Sequence, residues 1–281
     1  MRSNIALSSL IAVAGLATAA FGQANVVMEV SPSGAETWGS TVDATPGSSV
    51  DVRVRVSYTG TAQPLGLASM YFQPTISNWL TIGNVDVLDP LVNGGQGSNT
   101  STPIGAVPDA PNQYGRILPF ASRATNGIQT LTGFVQSVSG TSYLRIAQQY
   151  GSDWIGTGLN ITGDRGIPIT QLNDVGRTTA DPAFNNATQN LVVFKFKITL
   201  SSNTITRSML VDAPALGFGN LNPDTGVREV RWYNSMSEVT GSIRGPATVT
   251  TATINEVIPS PGAAGLLGLS GLVALRRRRA R

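Results

Sequence analysis

In the stretch Val50-Asp51-Val52-Arg53-Val54-Arg55-Val56-Ser57-Tyr58, valines and a tyrosine alternate with charged or polar residues. Successive side chains of an extended backbone point to opposite sides, so this pattern makes a strand with one dry face and one wet face. Pro46-Gly47 before it and Thr59-Gly60 after it are turn signals. Residues 191–200 repeat the design: Val192, Phe194, Phe196 and Ile198 alternate with Val193, Lys195, Lys197 and Thr199. The two lysines therefore read as solvated charges on a polar strand face. Further strands are expected at 26–30, 67–72, 80–87, 129–138, 142–149, 209–218, 227–233 and 247–254. Gly, Pro, Asn and Asp punctuate the gaps, and no sustained helical period occurs between residues 25 and 257. The expected fold is all-β, an antiparallel β-sandwich of jelly-roll or Ig-like type.

Two long polar regions interrupt the strands. Residues 89–119 centre on Asn93-Gly94-Gly95-Gln96-Gly97, and residues 151–190 contain Gly163-Asp164-Arg165-Gly166 and Asn173-Asp174. Loops of this length in a domain are functional or disordered, so a binding surface is expected there.

The two ends of the chain carry sorting chemistry. Arg2, an apolar segment from Ile5 to Ala20 and small residues around Gly22 and Ala24 make a secretory signal peptide over residues 1–24. Cleavage after Gly22 and cleavage after Ala24 are both open. At the other end, Pro259-Ser260-Pro261 is followed by Gly262 to Leu275 without a charge, then by Arg276, Arg277, Arg278, Arg279 and Arg281. As a helix the apolar run spans roughly 21 Å, short of the roughly 30 Å hydrocarbon core, and snorkelling arginines extend its reach. The arginines would hold this end in the cytoplasm by the positive-inside rule. The body between the signals is residues 25–257, enough for one large domain.

The tail resembles the PEP-CTERM family of C-terminal sorting signals, which are handled by the membrane protease exosortase. The proline pair, apolar run and basic cluster occur in that order over residues 258–281, with Ser260 where the family's motif has Glu. The resemblance implies a bacterial exported protein, anchored at least transiently in the inner membrane and then placed at the cell surface or beyond. Its implied partners are the secretion machinery and an exosortase-like protease. The body in turn resembles a cohesin-type jelly-roll sandwich in its early alternating strand after Pro46-Gly47-Ser48, its segment 67–72 and its late strand 191–200. Such domains bind other proteins or carbohydrate.

Charge and composition narrow the chemistry. The chain has 19 Lys and Arg against 16 Asp and Glu. Arg2 and the five tail arginines are sorting residues; without them the body holds 13 basic against 16 acidic side chains. The basic balance belongs to the signals, so nucleic-acid binding has no electrostatic support. With no cysteine and no histidine, no disulfide, thiolate, His-containing triad or His-ligated zinc can be built. Asp224-Thr225-Gly226 matches the aspartic-protease tripeptide, but it occurs once and follows Asn222-Pro223, so a tight turn explains it. A glycosidase pair could be drawn from Glu229, Glu238 and Asp212, with ordinary surface charge as the default reading. Asn220, Asn222 and Asp224 offer the hard oxygen ligands Ca²⁺ takes, in a spacing that departs from the EF-hand and suits a turn equally well.

Carbohydrate recognition would use an exposed aromatic face, and Trp154 in its Gly-rich loop is the candidate contact. Trp38, Trp79 and Trp232 read as packing residues. No catalytic residue, metal or cofactor is expected. The resulting expectation is a structural or adhesive protein of the cell surface or extracellular matrix, with extracellular polysaccharide as a partner. The alternatives are a carbohydrate-binding module and a carboxylate-based glycoside hydrolase.

Overall fold

The computed structural model describes residues 23–60, 66–91, 106–118, 120–121, 129–150, 167–171, 190–217, 229–233 and 242–259. Every regular element among them is a strand. In chain order they are β1 Gln23–Pro32, β2 Thr41–Ala44, β3 Ser49–Thr59 and β4 Gly66–Ser77. Next come β5 Val87–Leu88, β6 Ala106–Val107, β7 Gly115–Ile117 and β8 Phe120–Ala121. The hairpin β9 Gln129–Val138 and β10 Thr141–Tyr150 follows, then β11 Ile167–Gln171 and β12 Leu191–Thr199. The chain closes with β13 Arg207–Gly217, β14 Glu229–Tyr233, β15 Ser242–Thr250 and β16 Ala252–Glu256.

One layer is β15-β1-β3-β12, with β5 and β7 on β12. The other is β2-β16-β13-β4-β14, with β10 and β11 also on β4. β15 belongs to both. Its first half, through Pro246, pairs with β14, and from Ala247 onward it pairs with β1. Proline has no N–H to continue a ladder, so Gly245-Pro246 is a natural point for the strand to change sheets. Most pairings are antiparallel, as expected, but β1 with β15, β2 with β16, and β6 with β7 are parallel.

The alternation fixes the core. Met28, Val52, Val54, Phe194, Phe196 and Ile198 of one layer face Met70, Phe72, Ile76, Met209, Val211 and Ile254 of the other. The layers meet at Phe72 and Phe194, whose rings lie edge to face with centroids 5.6 Å apart. Tyr58 and Trp232 repeat that geometry at 5.5 Å. In β12 a bulge between Val192 and Phe194 puts Val193 in the core in place of Val192, which is half-buried opposite Arg55, correcting the simple alternation at this point.

The strand expected at 80–87 is a loop for most of its length. Gly83 sits at φ 79°, outside any strand, and Asp86 is buried, accepting hydrogen bonds from the backbone N–H of Leu80 (2.7 Å) and Ser201 (2.8 Å). An apolar run therefore became a loop tied down by one carboxylate, with Ile82 at its tip. Conversely, the polar regions 89–119 and 151–190 hold the short strands β6, β7 and β11, anchored by Val107, Ile117, Ile167 and Ile169.

Pro46-Gly47 forms the expected turn, closed by the Ser48 N–H donating to Thr45 O at 3.0 Å, with Gly47 at φ 77°. Proline second and a left-handed residue third define a type II turn. A Cβ on Gly47 meets only ordinary contact with Ser202, so the conformation alone decides the cost. Gly47→Ala is expected to lower stability by about 1–2 kcal/mol, read from the urea midpoint.

Candidate functional site

The outer face of β1, β3 and β12 was expected to be a row of solvated charges. Cross-strand register places Glu29, Arg53 and Lys195 opposite one another, and Asp51 beside Lys197. The alternation is right, but Lys195 is buried, at 2% exposure, which corrects its reading as a solvated charge. Its Nζ donates to Ala110 O at 3.0 Å and Asp109 Oδ1 at 3.3 Å, and lies 3.8 Å from Glu36 Oε1. Segments 31–38 and 108–114, distant in sequence, close over the strand and take the lysine from water.

Trp38 completes this cluster. Its Nε1 donates to Glu36 Oε2 at 2.9 Å, Arg53 Cζ lies 4.4 Å from the ring centroid, and Lys195 Nζ lies 5.8 Å from it. Both distances are within cation–π range. Glu29 bridges Arg53 Nε (2.6 Å) and Arg55 Nη2 (2.5 Å), so each carboxylate oxygen takes one guanidinium.

Asp51 is the second anchor of this face. Its Oδ1 accepts from Tyr114 Oη at 2.9 Å and Ser33 Oγ at 3.1 Å, and its Oδ2 accepts from the Gly34 N–H at 2.9 Å. Lys197 pairs with Asp89 at 2.8 Å and lies 5.5 Å from the Tyr114 ring centroid. Burial, then the hydrogen bond to Asp51 and the negative charge of Asp51, push the Tyr114 hydroxyl up to about 12. An unfolded tyrosine ionises near pH 10, so in alkali the folded state holds this proton longer than the unfolded one. The stabilising contribution is therefore complete below about pH 10 and lost as pH rises through about 12. Alkaline unfolding followed by circular dichroism is expected to show this loss, and Tyr114→Phe to flatten it in that window.

A third group of charges lies at one end of the sandwich. Arg207 donates from Nε to Glu256 Oε2 (2.5 Å), from Nη1 to Asp86 Oδ2 (2.6 Å) and Asn78 O (2.7 Å), and from Nη2 to Asp86 Oδ1 (2.5 Å). Both carboxylates have no exposed side-chain surface and Arg207 has 8%. Burial alone would lower the guanidinium; the hydrogen bonds and charges of Asp86 and Glu256 outweigh it and hold it above its ordinary value.

These three arrangements fix loops to strands; their chemistry is ion pairing. Among the residues singled out in the sequence, Asp212 is half-buried on β13, with Oδ1 accepting from the Ala213 N–H at 2.7 Å. The Glu229 side chain and all of Glu238 lie outside the described residues, as do Trp154, Asn220, Asn222 and Asp224. Trp79 and Trp232 are buried. Pro259 is exposed, whereas Ser260, Pro261 and the tail through Arg281 are outside the description. Among the described residues no group of three or more acidic side chains gathers to hold a metal, and no helix is long and apolar enough to cross a membrane. The sequence missed the Trp38 cluster; the shared face of Arg53 and Lys195 was its only local signal.

No protein-family model matches the chain, and no curated protein matches it. Solved structures similar to it include the seventh type I cohesin of ScaB from Pseudobacteroides cellulosolvens, at 13% identity and TM-score 0.35, covering 85% of this chain and 95% of that one. A second is the sixth cohesin of scaffoldin B from Acetivibrio cellulolyticus in complex with a Cel5 dockerin mutant, at 12% identity and TM-score 0.29, covering 84% of this chain and 99% of that one. A third is a type I cohesin–dockerin complex from Clostridium thermocellum, at 8% identity and TM-score 0.31, covering 82% of this chain and 99% of that one.

Proposed function

We propose that this chain is an exported structural or adhesive protein of the cell surface or extracellular matrix. An N-terminal signal delivers its β-sandwich body, and the PEP-CTERM-like tail, from Pro259-Ser260-Pro261 through Arg276–Arg279 and Arg281, holds it at least transiently at the inner membrane. Its partners in this reading are the secretion machinery, an exosortase-like membrane protease and extracellular polysaccharide.

The observation that supports it is the placement of the body's two exits. β1 starts at Gln23 opposite Thr59, and Pro32 lies opposite Val50. β16 ends at Glu256 opposite Ala44, and the Val257 N–H donates to Ala44 O at 2.8 Å, just before the turn that leads into β3. The described chain thus enters at one end of β3 and leaves at the other, roughly 33 Å away at strand rise. A body fixed by its tail would stand with its far end directed away from the membrane. Gln23 already pairs with Thr59, and Ala24 is fully buried. Signal cleavage after Gly22 would leave β1 whole, whereas cleavage after Ala24 would remove two of its residues.

The test is retention. Full-length protein produced in cells that make surface polysaccharide is expected to stay with the washed polymer after the membrane is dissolved. Recovery of all the protein free of polymer would contradict an adhesive role. A saturable sugar-binding isotherm that Trp154→Ala abolishes would replace this reading with a carbohydrate-binding module.

A further inference from the structure

The end of the sandwich from which the tail leaves has a composition of its own. Asn84 Nδ2 donates to Ser202 Oγ at 2.9 Å, Asn203 Nδ2 to Asn84 O at 3.2 Å, and the Gly47 N–H to Ser201 O at 2.8 Å. These bonds gather the 45–48 turn, the 78–85 loop and the 201–206 loop into one rim. Arg207 joins that rim to the last strand through Asp86 and Glu256. Residues 45–48, 78–85, 202–206 and 257–259 include no charged side chain. Of the charges beside it, Asp86, Arg207 and Glu256 are turned inward onto one another, whereas Asp43, at the rim's edge, is exposed and accepts from Asn255 Nδ2 at 3.0 Å.

Several of the exposed large apolar side chains of the described residues also sit here. Ile82 is 86% exposed, Val85 43%, Val87 48% and Ile258 46%. Val85 and Val87 flank Asp86, and Ile258 is two residues beyond Glu256, so all three adjoin the residues of the Arg207 bridge along the chain. Ile82 lies at the tip of the loop that Asp86 holds.

We propose that this uncharged, apolar-tipped rim is a lipid-facing surface that rests in the headgroup region of the bilayer into which the tail inserts. The proposal rests on the reading of residues 258–281 as a membrane anchor. Two residues, Ser260 and Pro261, separate the exposed Pro259 from Gly262, where the apolar run begins, so three peptide steps reach about 10 Å fully extended. A linker that short holds the rim at the membrane surface whenever the run is in hydrocarbon. A charged rim there would be desolvated against lipid, whereas isoleucine and valine gain by entering the interface. Arg207, Asp86 and Glu256 keep their charges, a net of one negative, buried beneath the rim while holding the loop in place.

The chain has no cysteine, so single labelling sites are free of background. Residues 23–281, the chain without its N-terminal signal, with Ile82→Cys, or with Thr59→Cys at the opposite end, would carry an environment-sensitive dye and be reconstituted into vesicles of phosphatidylethanolamine and phosphatidylglycerol. Flotation reads the anchor; quenching by lipids brominated in their acyl chains reads the rim. The label at 82 is expected to be quenched at least about twofold and the label at 59 to be unaffected, because interfacial apolar groups sit about 5–10 Å into the boundary. In a chain labelled through Val85→Cys, adding Ile82→Asp is expected to abolish quenching without changing flotation. Flotation with no quenching at 82 overturns the rim proposal and leaves the anchor standing. Failure of residues 23–281 to float overturns both. A dye shift at 82 that appears without vesicles and grows with protein concentration would make the occupant a second copy of the chain and overturn the lipid assignment.

Discussion

Arg207→Met is expected to be the most damaging single charge substitution in the body, lowering unfolding free energy by about 3–5 kcal/mol. The guanidinium is shared by two carboxylates that have no exposed side-chain surface. Removing it leaves two buried anions facing one another, and that desolvation exceeds the worth of any single hydrogen bond. At a slope of about 2–3 kcal/mol per molar urea, the unfolding midpoint would fall by about 1–2 M. The damage should be non-additive: replacing Asp86 and Glu256 in the same chain by Asn and Gln is expected to recover part of the loss, because the repelling charges go with the cation, while Asn at 86 offers one acceptor where the Leu80 and Ser201 N–H groups use two. A shift of Arg207→Met within about 0.5 kcal/mol of wild type, the usual range for a surface change, would show that the three groups are solvated after all.

Trp232→Ala is expected to cost a comparable about 3–5 kcal/mol by a different mechanism, the cavity left by a large core side chain. Trp232 is fully buried between β4 and β15 and packs edge-on against Tyr58. Its Nε1 has no hydrogen-bond partner among the described residues. Trp232→Phe should therefore lose far less, about 1–2 kcal/mol, because it keeps most of the apolar volume and deletes a donor that burial had stranded. Urea midpoints of the two variants, compared at equal slope, check the ordering; equal losses would mean that the indole N–H is bonded.

How far the sequence could be read depended on whether the deciding neighbours were local. The faces of β3 and β12 follow from alternation, and the core residues Val52, Val54, Phe194, Phe196 and Ile198 were legible from it. The burial of Lys195 was not, because it is imposed by Glu36, Asp109 and Ala110 from segments far away in sequence. The 80–87 segment has the apolar content of a strand, yet Gly83 and the inward turn of Asp86 make it a loop, and a buried carboxylate is invisible until its arginine is placed beside it. Strands of two to five residues, such as β6, β7 and β11, are too short for a period to register. The parallel pairing of β1 with β15 joins the two ends of the body, so no local pattern encodes it. Trp154, Asn220, Asn222 and Asp224 remain sequence-level candidates, whereas the Trp38 cluster needed three-dimensional neighbours to be found.

The most direct test of the account is the intact mass of the protein from cells of its native host, measured separately in membrane, surface-polymer and medium fractions. The chain is expected to begin at Gln23 or Asn25 in every fraction and, once it has left the membrane, to end between Pro259 and Gly262. Released protein that retains all five terminal arginines would contradict processing of the tail, and a full-length chain from Met1 to Arg281 inside the cell would contradict export itself.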